Sequence, residues 1–133
     1  MSPEARLYID KAHHCLSHAE AILQIELGDD AGRAAYLAVF HAAQALIHQR
    51  TGREAKTHQG VRSQFLLLTK DDPRIAPDLR QFLGQAYNLK TVADYATGPQ
   101  AIVPLERAGN AVLTAHRFLD CVRKLLDAAQ PSS

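Results

Sequence analysis

What this sequence has little of excludes several common designs. It holds two cysteines, Cys15 and Cys121, in 133 residues, and two isolated thiols are too few to staple a small secreted scaffold. Both sit in helical patterns among apolar neighbours and read as reduced core residues. No apolar run approaches the roughly 20 residues that a transmembrane helix needs, and the opening MSPEARLYIDKAHH lacks the apolar centre of a signal peptide. The expectation is a soluble, cytoplasmic protein with no membrane partner. Charge excess is missing too: fifteen Lys and Arg against fourteen Asp and Glu give +1. Nothing therefore draws the whole molecule to a polyanion, and any nucleic-acid contact must be a local site. No segment of useful length alternates with period two, which leaves strands unsupported. The Gly-x4-Gly-Lys phosphate loop, Gly-x-Gly-x-x-Gly, a serine nucleophile elbow and a Cys-x-x-Cys pair are all absent.

What is present describes a folded helical chain. Hydrophobic residues make up 47% and charged residues 22% of the sequence, close to the globular average. The length fits one domain, placed at 1–130, with a disordered tail at 131–133. Ser2-Pro3-Glu4 starts a first helix that runs to about Leu27, with Tyr8, Ala12, Cys15, Ala19 and Ile22 as its apolar stripe and Gly28-Asp29-Asp30 as its stop. Those aspartates are expected to cap a second helix over about 31–50, striped by Tyr36, Val39, Phe40, Ala43, Leu46 and Ile47. Beside that stripe, Ala35, Ala38, Ala42 and Ala45 admit a close neighbour, another helix or another subunit. Thr57 is the expected cap of a short helix over about 58–69. A fourth helix spans about 78–95, with Leu79, Phe82, Ala86, Leu89 and Ala93 inward, and Thr97-Gly98-Pro99 ends it. Pro104 opens the last helix, whose Leu105, Ala108, Val112, Ala115, Leu119, Val122 and Leu126 form the most regular stripe. The fold class is all-α, an antiparallel bundle of four to five helices.

Four groups of residues could carry chemistry. Asp10, His14 and His18 share a helix face at metal-ligand spacing, but no fourth ligand is evident and no metal site is assigned. His41 and His48 flank Gln44 on one side of helix two, as a polar groove or a half-exposed face. Arg53 and His58 form an Arg-x4-His, a spacing that suits a phosphate clamp and a general base. Ten arginines and seven histidines produce roughly one or two Arg-x(4–6)-His matches by chance, and Arg6…His13 is another, so the spacing alone is uninformative. On helix four, Lys90 and Asp94 are i,i+4 neighbours with Tyr87 a turn earlier and Tyr95 at the helix end. This reads as a surface ion pair or as a site.

Three of these places together resemble one family. Ala35 to Ala43, with its Tyr36-x-x-x-Phe40-His41-Ala42-Ala43 pattern, resembles a helix of HEPN-domain proteins (higher eukaryotes and prokaryotes nucleotide-binding) in their small stand-alone bacterial branch. Thr57-His58-Gln59-Gly60-Val61 resembles that branch's opening of helix three, and Ala93-Asp94-Tyr95 its closing triplet. Order and spacing match over about 5–127. The resemblance implies a dimeric helical bundle that works beside a small nucleotidyltransferase-fold antitoxin, with active members acting as metal-independent ribonucleases. Their motif is Arg-x4–6-His, or Arg-x4-Tyr in this branch, where the present chain has Lys90 and Tyr95. Lysine keeps the charge but loses the planar fork that grips phosphate, and tyrosine is a poor base at neutral pH. Two functions stay open. One is a ribonuclease-like toxin with Lys90, Asp94, Tyr95 and His58 in catalytic roles, and Tyr36, His41 and Tyr87 binding RNA or nucleotide. The other is a non-catalytic module that binds a nucleotide or its nucleotidyltransferase partner. No cofactor is implied. By resemblance Tyr95 is also the candidate acceptor of AMP from that partner.

Overall fold

A computed structural model describes residues 1–98 and 102–128 of the chain. Five helices run in the order α1 (Pro3–Gln24), α2 (Gly28–Thr51), α3 (His58–Leu68), α4 (Pro77–Tyr95) and α5 (Leu105–Asp127), with no strand among the described residues. The all-α bundle expected from the sequence is the observed fold. Pro99 and the 131–133 tail lie outside the described residues.

Helix starts follow local chemistry where a side-chain cap exists. The Ser2 hydroxyl accepts from the Ala5 N–H at 3.1 Å and the Thr57 hydroxyl from the Gly60 N–H at 3.0 Å, satisfying donors that the first helical turn leaves open. The α1–α2 turn departs from expectation. Helix α1 ends three residues early, at Gln24, and the chain reverses through Glu26 at φ 62°. Gly28 opens α2 instead of stopping α1, and no side chain caps that end. Asp29 acts at long range instead, its carboxylate accepting the Val103 N–H from the segment that leads into α5. Gly28 lies so close to that segment that a Cβ there would sit 2.5 Å from the Val103 carbonyl oxygen. A tie between distant parts of the chain thus replaces the local cap.

Helix α2 is the axis of the bundle and packs on all four other helices. Its alanine face is fully buried inside one copy of the chain, with Ala35, Ala38, Ala42 and Ala45 all at 0% exposure. The close neighbour is therefore intramolecular. On α1 the buried line is Ala5, Ile9, Ala12, Leu16 and Ala19. The expected stripe was rotated, since Tyr8, Cys15 and Ile22 sit half-buried at the edge of the core. Cys121 is likewise at the edge, and both thiols are free. On α4, Leu83 joins the buried line while Ala93 is only half-buried, and at the start of α5 Leu105 is exposed. Deep in the core, Phe65 of α3 meets Phe118 of α5 at 5.2 Å between rings.

Helix α3 buries only Val61 and Phe65 within its span, and polar ties fix its position. Arg80 donates to the Leu66 carbonyl at 2.8 Å and to the Thr69 hydroxyl at 3.0 Å, and Arg50 donates to the Leu68 carbonyl. Two guanidiniums at the negative end of a helix are favourable and satisfy carbonyls that have no helical partner. This places the start of α3, and His58, beside α2 and α4.

Candidate functional site

Tyr36 sits in the main apolar stripe of α2 and is only 3% exposed, so its hydroxyl needs a partner inside the protein. That partner is His58: Tyr36 Oη and His58 Nδ1 are 2.8 Å apart. The imidazole lies flat on the Tyr87 ring of α4, centroids 3.8 Å apart and planes within 11°. Tyr36 and Tyr87 meet at 5.5 Å, and Phe40 extends the aromatic group along α2 at 5.7 Å from Tyr36. One hydrogen bond and one stacked ring fix the His58 orientation.

These surroundings set the protonation states. Burial, aided by the nearby Arg62 guanidinium, lowers the His58 pKa, so the ring is neutral at pH 7. Burial, with Tyr87 beside it, raises the Tyr36 pKa well above the ordinary phenol value, and its hydroxyl keeps its proton.

The C-terminal half of α4 continues the site. Lys90 Nζ binds Asp94 Oδ2 at 2.8 Å, and Arg33 Nε of α2 binds the other carboxylate oxygen at 3.0 Å. Lys90 lies 6.0 Å from the Tyr87 ring centroid and 5.5 Å from that of Tyr95. The Lys90 bond holds the Asp94 carboxyl below its usual range, with Arg33 contributing, and Asp94 raises the Lys90 pKa. Tyr95 is 74% exposed at the helix end. What the sequence read as one i,i+4 pair is a three-member ion network across two helices, framed by tyrosines.

Six residues expected at a site, Tyr36, His58, Tyr87, Lys90, Asp94 and Tyr95, therefore form one continuous strip. His41 turns elsewhere. Its Nδ1–H donates to Gln44 Oε1 at 2.7 Å, and the Gln44 amide donates to the Ala55 carbonyl at 2.8 Å, so this histidine braces the α2–α3 loop. Its pKa is lowered by burial, against the Gln44 bond, with Lys11 of α1 adding to the lowering. Arg53 is exposed in that loop, with its backbone N–H on the Thr51 hydroxyl. His14 and His18 are exposed neighbours at 4.3 Å between rings, and among the described residues no three His, Cys, Asp or Glu side chains converge on a metal position. Sequence reasoning missed Arg33 and Arg62. Each stands one turn from a residue that it did single out, Arg33 three before Tyr36 and Arg62 four after His58.

The HEPN domain family model matches residues 5–126. The chain belongs to the HEPN family. It is 31% identical over 123 residues to a protein of Methanocaldococcus jannaschii named "Putative toxin MJ0605", a match that covers 92% of this chain and 89% of the relative. Its fold is similar to the crystal structure of TT1696 from Thermus thermophilus, with a TM-score of 0.77, 24% identity, and coverage of 92% of this chain and 98% of that one. Among the described residues no helix of this HEPN protein is long and apolar enough to cross a membrane.

Proposed function

We propose that this HEPN protein is a toxin-like, metal-independent ribonuclease that works as a homodimer, with Lys90, Asp94, Tyr95 and His58 as its catalytic group. The observation that carries this reading is the His58 ring, bonded to Tyr36 and stacked on Tyr87, whose own ring centroid lies 6.0 Å from Lys90 Nζ. The toxin character rests on the archaeal relative's name and on family membership. The Tyr36–His58 hydrogen bond fits either imidazole tautomer; in the one with the proton on Nδ1, Nε2 carries a free lone pair and acts as general base. It takes the proton of an RNA 2′-hydroxyl as that oxygen bonds to phosphorus. The bond from phosphorus to the 5′-oxygen breaks, leaving a 2′,3′-cyclic phosphate, and the Tyr95 hydroxyl protonates the departing oxygen. The Lys90 ammonium stabilises the added negative charge on phosphorus, and Asp94 with Arg33 fixes its position. Half-buried Phe40, 5.7 Å from Tyr36, with half-buried Leu37 one turn before it on α2, gives the site an apolar edge suited to a second copy.

RNA digestion in EDTA tests this reading. Wild-type protein is expected to cleave, and His58→Ala and Lys90→Ala to lose about 10²-fold or more in rate. Wild-type protein that leaves every RNA intact would sink it. That result would favour the second reading, a non-catalytic nucleotide- or partner-binding module, which the neutralisation of Lys90 by Asp94 also supports.

Tyr95 is the proposed acceptor of AMP. Its hydroxyl oxygen would attack the α-phosphorus of ATP on a nucleotidyltransferase-fold antitoxin, releasing pyrophosphate and placing a phosphodiester beside Lys90, where it competes with RNA phosphate. Exposure of the ring and its distance from Lys90 support this. Intact mass after co-expression is expected to show an AMP adduct that Tyr95→Phe abolishes. An unmodified chain in complex with that partner would overturn it.

A further inference from the structure

Adjoining the strip and sharing His58 and Tyr87 with it, α3 and α4 line an open groove of about 460 Å³ that also takes in Arg62, Gln81, Gly84, Gln85 and Asn88. No carboxylate borders it. Arg62, like Arg6, Arg50, Arg53, Arg80 and Arg107, makes no ion pair among the described residues, whereas Arg33 beside the strip is paired with Asp94. The guanidinium rests against the one glycine of α4: a Cβ on Gly84 would lie 3.0 Å from Arg62 Nε. Glycine inside a helix is unfavourable relative to alanine, and here it lets a cation lie close to the helix surface. Amides of Gln81, Gln85 and Asn88 add neutral donors and acceptors around it. From Gly84 to Lys90 is six residues, or about 9 Å along the helix at the usual rise. The Tyr87 ring, stacked on His58, lies between those two levels.

We propose that this groove holds a second phosphate of a single-stranded RNA, anchored by Arg62, while Lys90 faces the phosphate being cleaved. This deepens the ribonuclease reading and rests on it. Two cations separated by an aromatic pair suit consecutive backbone phosphates, the combination that single-strand binders use. The neutral amides contact the chain without a charge requirement. Guanidinium forks grip phosphate in two bonds, which makes Arg62 a substrate-positioning residue.

Fluorescence anisotropy with a labelled, uncleavable 2′-O-methyl oligouridylate in EDTA separates binding from cleavage. Arg62→Ala is expected to weaken binding at least about fivefold and to reduce the salt slope by about 0.7, the share of one phosphate on a single strand. Arg107→Ala removes the same charge from the neighbouring α4–α5 groove and is expected to change affinity less than about twofold. Gly84→Ala keeps the charge but displaces the guanidinium, and is expected to weaken binding even if Arg62→Ala proves poorly folded. Unchanged binding by Arg62→Ala would overturn the proposal, as would an equal loss in Arg107→Ala, which denotes a diffuse charge effect. Binding of ATP but not of the oligonucleotide would also overturn it. Failure of the wild type to bind or cleave any RNA removes the ribonuclease reading itself, whereas wild-type binding that ignores Arg62 removes only the groove.

Discussion

The two sides of α2 are built differently. Along one, Ala35, Ala38, Ala42 and Ala45 are completely buried, and no polar side chain is needed to hold the packing. Along the other, Tyr36 is just as enclosed but carries a hydroxyl, and His58, Tyr87 and the Arg33–Asp94–Lys90 network gather around it. Small residues let helices approach until dispersion and burial suffice. A buried phenol instead demands a partner, and meeting that demand fixes an imidazole at the surface end of the core. The packed side makes the bundle, and the polar side gathers the residues of the proposed site.

The largest effect belongs to the packed side. Phe118→Ala empties a fully buried position that meets Phe65 and is expected to cost about 3–5 kcal/mol in urea unfolding. A loss under about 1 kcal/mol would show that the α3–α5 contact is looser than the geometry implies. On the polar side the expected cost is smaller and the functional loss larger. Tyr36→Phe removes the hydroxyl but keeps the ring, and is expected to lower stability by about 0.5–1.5 kcal/mol. RNA cleavage should fall with it, because His58 loses the bond that orients its ring. A Tyr36→Phe protein with full activity would separate the hydrogen bond from the function.

The smallest effect sharpens the contrast through pH. The folded-state pKa of His58 is below its ordinary value of about 6.5, through burial and then Arg62. A depressed folded pKa makes the unfolded state bind the proton first, so this contribution is present above about pH 6.5 and fades as pH falls through the lower, folded value. Melting temperature is expected to drop on acidification across that window, and His58→Asn to flatten the drop. His41 contributes in the same direction, so a residual slope in His58→Asn is part of the expected result. An unaltered slope would contradict the burial of His58.

Legibility from the sequence followed the range of the interactions. Ser2 and Thr57 act within three residues of themselves, and both caps are where the sequence placed them. Asp29 looked like a cap by the same reasoning, yet its carboxylate serves Val103, 74 positions away. The expected α1 stripe includes Ala12 and Ala19, which are buried, but leaves out the buried Ala5, Ile9 and Leu16 and takes in Tyr8, Cys15 and Ile22, which border the core. Apolar periodicity finds a helix face more surely than its centre. At the candidate site, the motif residues stood out individually, but Lys90 with Asp94 was indistinguishable from an ordinary surface pair. Arg33 joins them only because α2 packs beside α4.

The sequence by itself determined that this chain forms helices, where most of them begin and end, and which family its helix motifs resemble, because periodicity, capping and motif spacing act over a few residues of chain. Only the tertiary structure decided that Tyr36, His58 and Tyr87 become one aromatic cluster, that Asp94 bridges cations from two helices, and that His41 braces a loop away from them. Those outcomes depend on how α2, α3 and α4 sit against one another. Packing sets that arrangement through contacts between residues far apart in sequence, for which no local pattern exists.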